Sequence, residues 1–127
     1  MVSELFEKGL AIRKKVVGEE YVNRSLSQAD EFTEDFQTLV TEYCWGSVWG
    51  RPGLDLKTRS MLNIAMIGAL NRPHELKLHV QGALRNGVTQ AEIREILMQV
   101  TIYAGVPAGV DSFRIAREAI NEFDNEN

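Results

Sequence analysis

The chain is poor in the residues that build covalent and metal frameworks. It has one cysteine, Cys44, and two histidines, His74 and His79, among 127 residues. A single thiol forms no intrachain disulfide and no Cys-x-x-Cys pair. Dithiol redox work is therefore disfavoured, and a reducing cytoplasm is the simplest compartment. The two histidines fall on different faces of one helix with no further ligand spacing beside them, so no metal is expected. Long apolar runs are missing too. The longest uncharged window, "SMLNIAMIGALN", is well short of the roughly 20 residues a membrane span needs. The opening "MVSELFEKGL" is amphipathic and acidic, with no apolar signal core. Basic charge is in the minority, with 14 Lys and Arg against 18 Asp and Glu and a net charge of −4. That balance disfavours nucleic acid as a partner, because phosphate contacts need clustered cations. Strand-type alternation is absent, and with it any glycine-rich phosphate loop behind a strand.

What is present is helical periodicity, in an ordinary proportion of 44% hydrophobic and 25% charged residues. The length suits one domain, 1–127. Leu5, Phe6, Leu10, Ile12 and Val16 predict a helix over 3–16, and 19–26 reads as a connection. Ser27 with Asp30 resembles a capping box for a helix to about Tyr43, with Phe32, Phe36, Leu39 and Val40 facing inward. "WGSVWGRPG" then breaks the pattern as a turn or short helical piece followed by a loop. Asp55 is a suitable N-cap for Leu56 to Leu70, apolar nearly all round and therefore the expected central helix. Pro73 opens a fourth helix and Gly87 stops it. Thr89 with Glu92 caps a fifth, to about Tyr103. "AGVPAG" interrupts, and a last helix runs from about Pro107 to Phe123 before a fraying "DNEN". The expected class is all-α, about six helices. Surplus apolar surface on the central helix would be hidden either in an oligomer or within a six-helix monomer.

Few residues can carry chemistry. His79 lies among Leu76, Val80 and Ala83, and a lone histidine on such a face is more often a packed core residue. Glu75, four residues earlier, is within reach of the ring; a carboxylate there would raise the imidazole pKa and orient it as a proton donor. The plainer reading of Glu75 is a solvated first-turn acid favouring the helix N-terminus. His74 is expected to be exposed and idle. Trp45 and Trp49 sit one turn apart, followed by Arg51. They read as a hydrophobic plug, or as an apolar wall with a guanidinium suited to a small carboxylate. Arg59 offers a second cation. Ser60, on an apolar helix, has no nucleophile context.

The segments "WGRPGLDLKTRSML", "ALNRPHELKLHV" and "NGVTQAEIREILMQVTIYAGVPA", within a likeness that also reaches "VVGEEYVNRSL", resemble the carboxymuconolactone decarboxylase family. The resemblance implies a compact all-α fold of the alkyl hydroperoxidase D-like superfamily, assembled as a ring-like homo-oligomer, commonly a hexamer. The thiol branch of that superfamily carries a Cys-x-x-Cys followed by a histidine. Arg72 and Glu75 stand at the cysteine positions here, and His79 stands at the histidine. The implied reaction is decarboxylation of 4-carboxymuconolactone, a small lactone dicarboxylate, to the enol-lactone of 3-oxoadipate in protocatechuate catabolism. The conjugated carbonyl takes the electron pair as a dienolate, so the reaction needs no cofactor. His79 is then the expected proton donor and Glu75 its orienting partner. Arg51 and Arg59 are the expected substrate-carboxylate ligands, with Trp45 and Trp49 shielding the site. "PAGVDSF" departs from the family's "PAANHAF"-like pattern: Val110 and Asp111 replace an amide and an imidazole, and an added negative charge would oppose a dicarboxylate. Gly50 is also smaller than usual there. A decarboxylase of a related lactone or β-keto acid, a thiol-dependent antioxidant protein and a non-catalytic oligomeric binding protein stay as alternatives.

Overall fold

The computed structural model describes residues 2–126. Among them every regular element is helical: seven α-helices and one π-helical segment, with no strand. The all-α expectation holds. The chain divides into two units, one ending at Asp55 and one beginning at Leu56.

The first unit begins with α1, Glu4–Val17. Ser3 Oγ accepts from the Phe6 amide, and Lys14 and Lys15 stand in the last turn, where cations suit the helix dipole. Gly18, at φ 98°, stops α1 and turns the chain directly into α2, Glu19–Ser27. The expected connection over 19–26 is therefore a helix. Its apolar signal is weak because only Val22 of its nine residues is buried. The expected capping box is also absent. Ser27 is the last residue of α2 and donates to the Arg24 carbonyl, while Asp30 accepts from the Phe32 and Thr33 amides in a turn.

α3, Glu34–Leu39, runs straight into the π-helix Val40–Val48. The helix thus continues through "WGSV" instead of ending near Tyr43. Its inward face differs from the expected one. Phe32, Phe36 and Leu39 are 93%, 60% and 52% exposed, and Val40 is partly buried. Thr41, Trp45 and Gly46 are the buried positions. The reason is close approach of backbones. A Cβ on Gly9 would collide with the Thr41 carbonyl, and one on Gly46 would lie 2.8 Å from Leu5. Small residues let α1 and the π-helix touch, and large ones are turned away. Arg13 is buried in this seam and donates from one terminal nitrogen to Gln37 Oε1 at 2.9 Å and Thr41 Oγ1 at 3.1 Å.

The second unit packs four helices: α4 (Leu56–Ala69), α5 (Pro73–Arg85), α6 (Gln90–Ala104) and α7 (Val106–Glu126). The expected signals work well here. Pro73 occupies the first turn of α5, and Gly87 follows its end at φ 89°. The Thr89–Glu92 capping box is complete in both directions, at 3.1 and 2.9 Å. Asn71 takes the left-handed conformation between α4 and α5, a role asparagine tolerates. Gly105, at φ 108°, is the whole break between α6 and α7, so α7 starts one residue before Pro107 and continues past Phe123 into the segment expected to fray. Asn127 lies outside the described residues.

The core is built from Ile64, Leu76, Val80, Ile93, Leu97 and Ala119, all nearly inaccessible. α4 contributes only part of its apolar surface. Ile64 is buried, while Leu62, Met66 and Leu70 are exposed. The central helix of the sequence reading is therefore half-covered within its own unit.

Candidate active site

α5 positions the sharpest pair. Pro73 fixes its start, which puts Glu75 in the first turn and His79 one turn later. Leu76, Val80 and Ala83 go into the core, and His79 is carried down with them to 6% exposure. Its Nε2 stands 3.9 Å from Glu75 Oε2. At that length the contact is an ion-pair distance and too long for a hydrogen bond. Glu75 itself is half-exposed.

α4 supplies the other side of the ring. Asn63 Nδ2 lies 3.5 Å from His79 Nδ1, at the outer limit of a hydrogen bond. With the amide nitrogen as donor, Nδ1 accepts and the neutral ring carries its proton on Nε2, facing Glu75. Asn63 was not among the expected site residues. A polar residue one turn after Arg59, inside an otherwise apolar helix, was the signal for it. Arg59 is partly buried and shares that side of α4 with Asn63.

Burial decides the electrostatics. Desolvation pushes the His79 pKa down from 6.5 to about 4. The expectation that Glu75 keeps the imidazole protonated near neutral pH is corrected here. A half-exposed carboxylate at 3.9 Å is screened by water, and the loss of hydration around the ring outweighs it. His79 is neutral at pH 7 in the unliganded chain.

The remaining expected residues fall in the first unit. Trp45 and Trp49 are each 5% exposed and stack with centroids 4.7 Å apart and planes at 27°. Their burial matches the plug reading. Arg51 is exposed just beyond the π-helix, where its amide donates to the Val48 carbonyl in a turn. So Glu75, His79 and Arg59 belong to one unit, and Trp45, Trp49 and Arg51 to the other. His74 is exposed, as expected. Ser60 is fully buried and receives a 2.9 Å hydrogen bond from Asn86 Nδ2, a structural contact between α4 and the end of α5.

Several hollows open in the second unit, and two of them bear on the site. One, of about 600 Å³, is an apolar groove between α4 and α6 lined by Met61, Leu62, Ala65 and Ile96, with no expected site residue in it. The other, of about 210 Å³, lies where the end of α4 and the start of α5 meet α7. Asp111 lines it. Its carboxylate is 3.2 Å from Arg114, so the charge expected to oppose a dicarboxylate is met on its own helix.

Residues 34–118 match the model of the carboxymuconolactone decarboxylase family. The chain is 40% identical over 117 residues to 4-carboxymuconolactone decarboxylase of Acinetobacter baylyi, covering 92% of this chain and 87% of that protein. It is 43% identical over 118 residues to nitrosuccinic acid decarboxylase of Metarhizium robertsii, covering 93% and 82%.

Proposed function

The chain belongs to the carboxymuconolactone decarboxylase family and is a carboxy-lyase, and on that premise we propose that it decarboxylates 4-carboxymuconolactone to 3-oxoadipate enol-lactone without a cofactor. The observation that carries this reading is the buried His79, with Glu75 at one ring nitrogen and Asn63 at the other, in a chain 40% identical to a decarboxylase of that lactone.

Loss of carbon dioxide leaves an electron pair on carbon. In the lactone the conjugated carbonyl accepts it as a dienolate, and a proton must then return to carbon. The substrate therefore supplies its own electron sink, and the protein supplies anion contacts and the proton. His79 delivers that proton from Nε2. Because the ring is neutral at rest, it takes up a second proton from solvent as the substrate binds: a carboxylate held beside a dry imidazole favours the charged form and raises the depressed pKa. Arg59, one helical turn before Asn63 on α4, is the carboxylate ligand of this machinery. Glu75 keeps the ring oriented.

The exposed apolar residues of α4 and α6, among them Leu62, Met66, Met98, Ile102 and Tyr103, support a homo-oligomer, which we take as a hexamer. The single cysteine supports a reducing cytoplasm. The place of such an enzyme is protocatechuate catabolism.

A second reading follows from the 43% identity to a nitrosuccinic acid decarboxylase. A nitro group is also an electron sink beside a carboxylate, so the same proton return would serve. Purified protein offered each acid separately, with carbon dioxide release followed, distinguishes the two. Turnover of neither would sink the decarboxylase reading for both.

A further inference from the structure

The apolar groove between α4 and α6 takes no part in the proposed reaction, yet it runs along the helix that carries Arg59 and Asn63. Its volume of about 600 Å³ is continued by a second hollow of about 340 Å³. Ala65 and Gln99 line both, so the two form one trough with those residues at its middle. Rows of large side chains flank it. Leu62 and Met66 stand one turn apart on α4, and Met98 and Ile102 one turn apart on α6. With Tyr103 they are 46%, 53%, 55%, 77% and 83% exposed. At about 200 Å² for a fully exposed large side chain, these five leave on the order of 600 Å² of apolar surface in water. The largest patch on an ordinary monomer is about 300–600 Å², and a stable interface takes about 800 Å² from each partner. The face is therefore of interface size.

It is also complementary to itself. Ala65, Ala69, Ala91 and Ala104 line the trough and leave room for large side chains, which its own borders supply. Arg94 and Glu95 bring both signs of charge to the lining, 3.0 Å apart and largely exposed. A twofold contact needs a patch that provides both members of every pair. A second copy, turned over, sets its large side chains on the alanines and its Glu95 toward Arg94.

The flank on α4 adjoins the catalytic residues. Leu62 and Met66 follow Arg59 by three and seven residues, and Asn63 follows it by four, so these side chains share neighbouring strips of the helix. We propose that the α4–α6 face pairs with the same face of a second copy, about a twofold axis near Ala65 and Gln99, and that this copy walls off the Arg59 side of the catalytic site. The inference rests on the homo-oligomer and on the roles of Arg59 and His79 in the proposed function. In a lone chain the strip beside Arg59 is open to water, which screens a guanidinium–carboxylate contact. A seated partner excludes that water and strengthens the contact.

Gln99 is exposed, and Gln99→Cys in a Cys44→Ser background puts one thiol of each copy at the centre of the face. A short bismaleimide should then join two copies covalently. Ile102→Glu should shift the protein to a smaller species in light scattering; Met98→Glu should do the same and serves if the first variant folds poorly. In that smaller species phenylglyoxal should modify Arg59 several-fold faster than in the parent, as read by mass spectrometry. None of these readouts needs a substrate, so they judge the face even if neither acid is turned over. No cross-link through position 99, or an unchanged mass in both glutamate variants, overturns the pairing. Equal reactivity of Arg59 in the assembled and dissociated forms overturns the wall. Where the parent decarboxylates, the folded glutamate variant should lose most of its rate, and full activity in the smaller species also counts against the wall.

Discussion

Asn63 and His79 face each other from α4 and α5, amide nitrogen to Nδ1 at 3.5 Å. With the amide nitrogen as donor, that contact favours the tautomer whose proton sits on Nε2. It also links the buried imidazole to a helix whose buried positions are Ser60, Ile64 and Gly68.

His79→Gln should lose about 10²–10⁴-fold in kcat, the usual range for a general acid, and remain folded, because glutamine keeps a polar atom near Asn63. Steady-state kinetics with circular dichroism checks both halves. Near-full activity in the variant would leave His79 as a packing residue.

Glu75→Gln should cost much less. The carboxylate is half-exposed and 3.9 Å from the ring, and an exposed pair contributes about 0.2–1 kcal/mol. The expected loss is under about fivefold, with the pH–rate profile moved slightly toward acid because the imidazolium has lost a partner. A loss as large as that of His79→Gln would mean that Glu75 itself moves protons.

Stability should depend on pH through His79. Its folded pKa, about 4, is below the unfolded value near 6.5, so the unfolded chain binds the extra proton between those limits. The contribution is fully present above about pH 6.5 and is lost as pH falls through 4. It is on the order of 3 kcal/mol. Urea unfolding at several pH values should show a midpoint that falls over this window in the parent and much less in His79→Gln. Equal slopes would refute the assignment.

Assembly is open to a direct test. Leu62, Met66 and Ile102 are 46%, 53% and 77% exposed. Light scattering should find a species well above the 14.3 kDa chain mass, and Met66→Glu should shift it toward monomer. A parent protein that stays monomeric at micromolar concentration would remove the oligomer from the reading.

How much of this was legible in sequence depended on what kind of signal each element carried. The capping box at Thr89, the proline at 73 and the glycine at 87 are local chemistry, and each sits where it was read. The inward face of α3 was misread because Phe32 and Phe36 look like core, and only the seam made by Gly9 and Gly46 shows that small residues face α1. α2 was missed because one buried valine makes no period. In the site, the Glu75–His79 spacing was visible as helix geometry. The imidazole's charge state was not, since spacing reveals a partner and says nothing about lost hydration. Asn63 was missed because its partner is sixteen residues away.

The π-helical segment Val40–Val48 has a consequence for how this chain can vary in length. Each of its turns holds one residue more than an α-helical turn. Removing one residue there would let the backbone relax to an ordinary helix. Every later residue of the segment would then be rotated by about 100°, one residue's share of a 3.6-residue turn. Thr41 would keep its place on Gly9, but Trp45, Gly46 and Trp49 could no longer all point where they do now. The segment therefore acts as a phase counter: chain length between Thr41 and Trp49 is fixed to the residue, while the exposed turn around Gly53, with open space about its Cα, can gain or lose residues without consequence for the tryptophans.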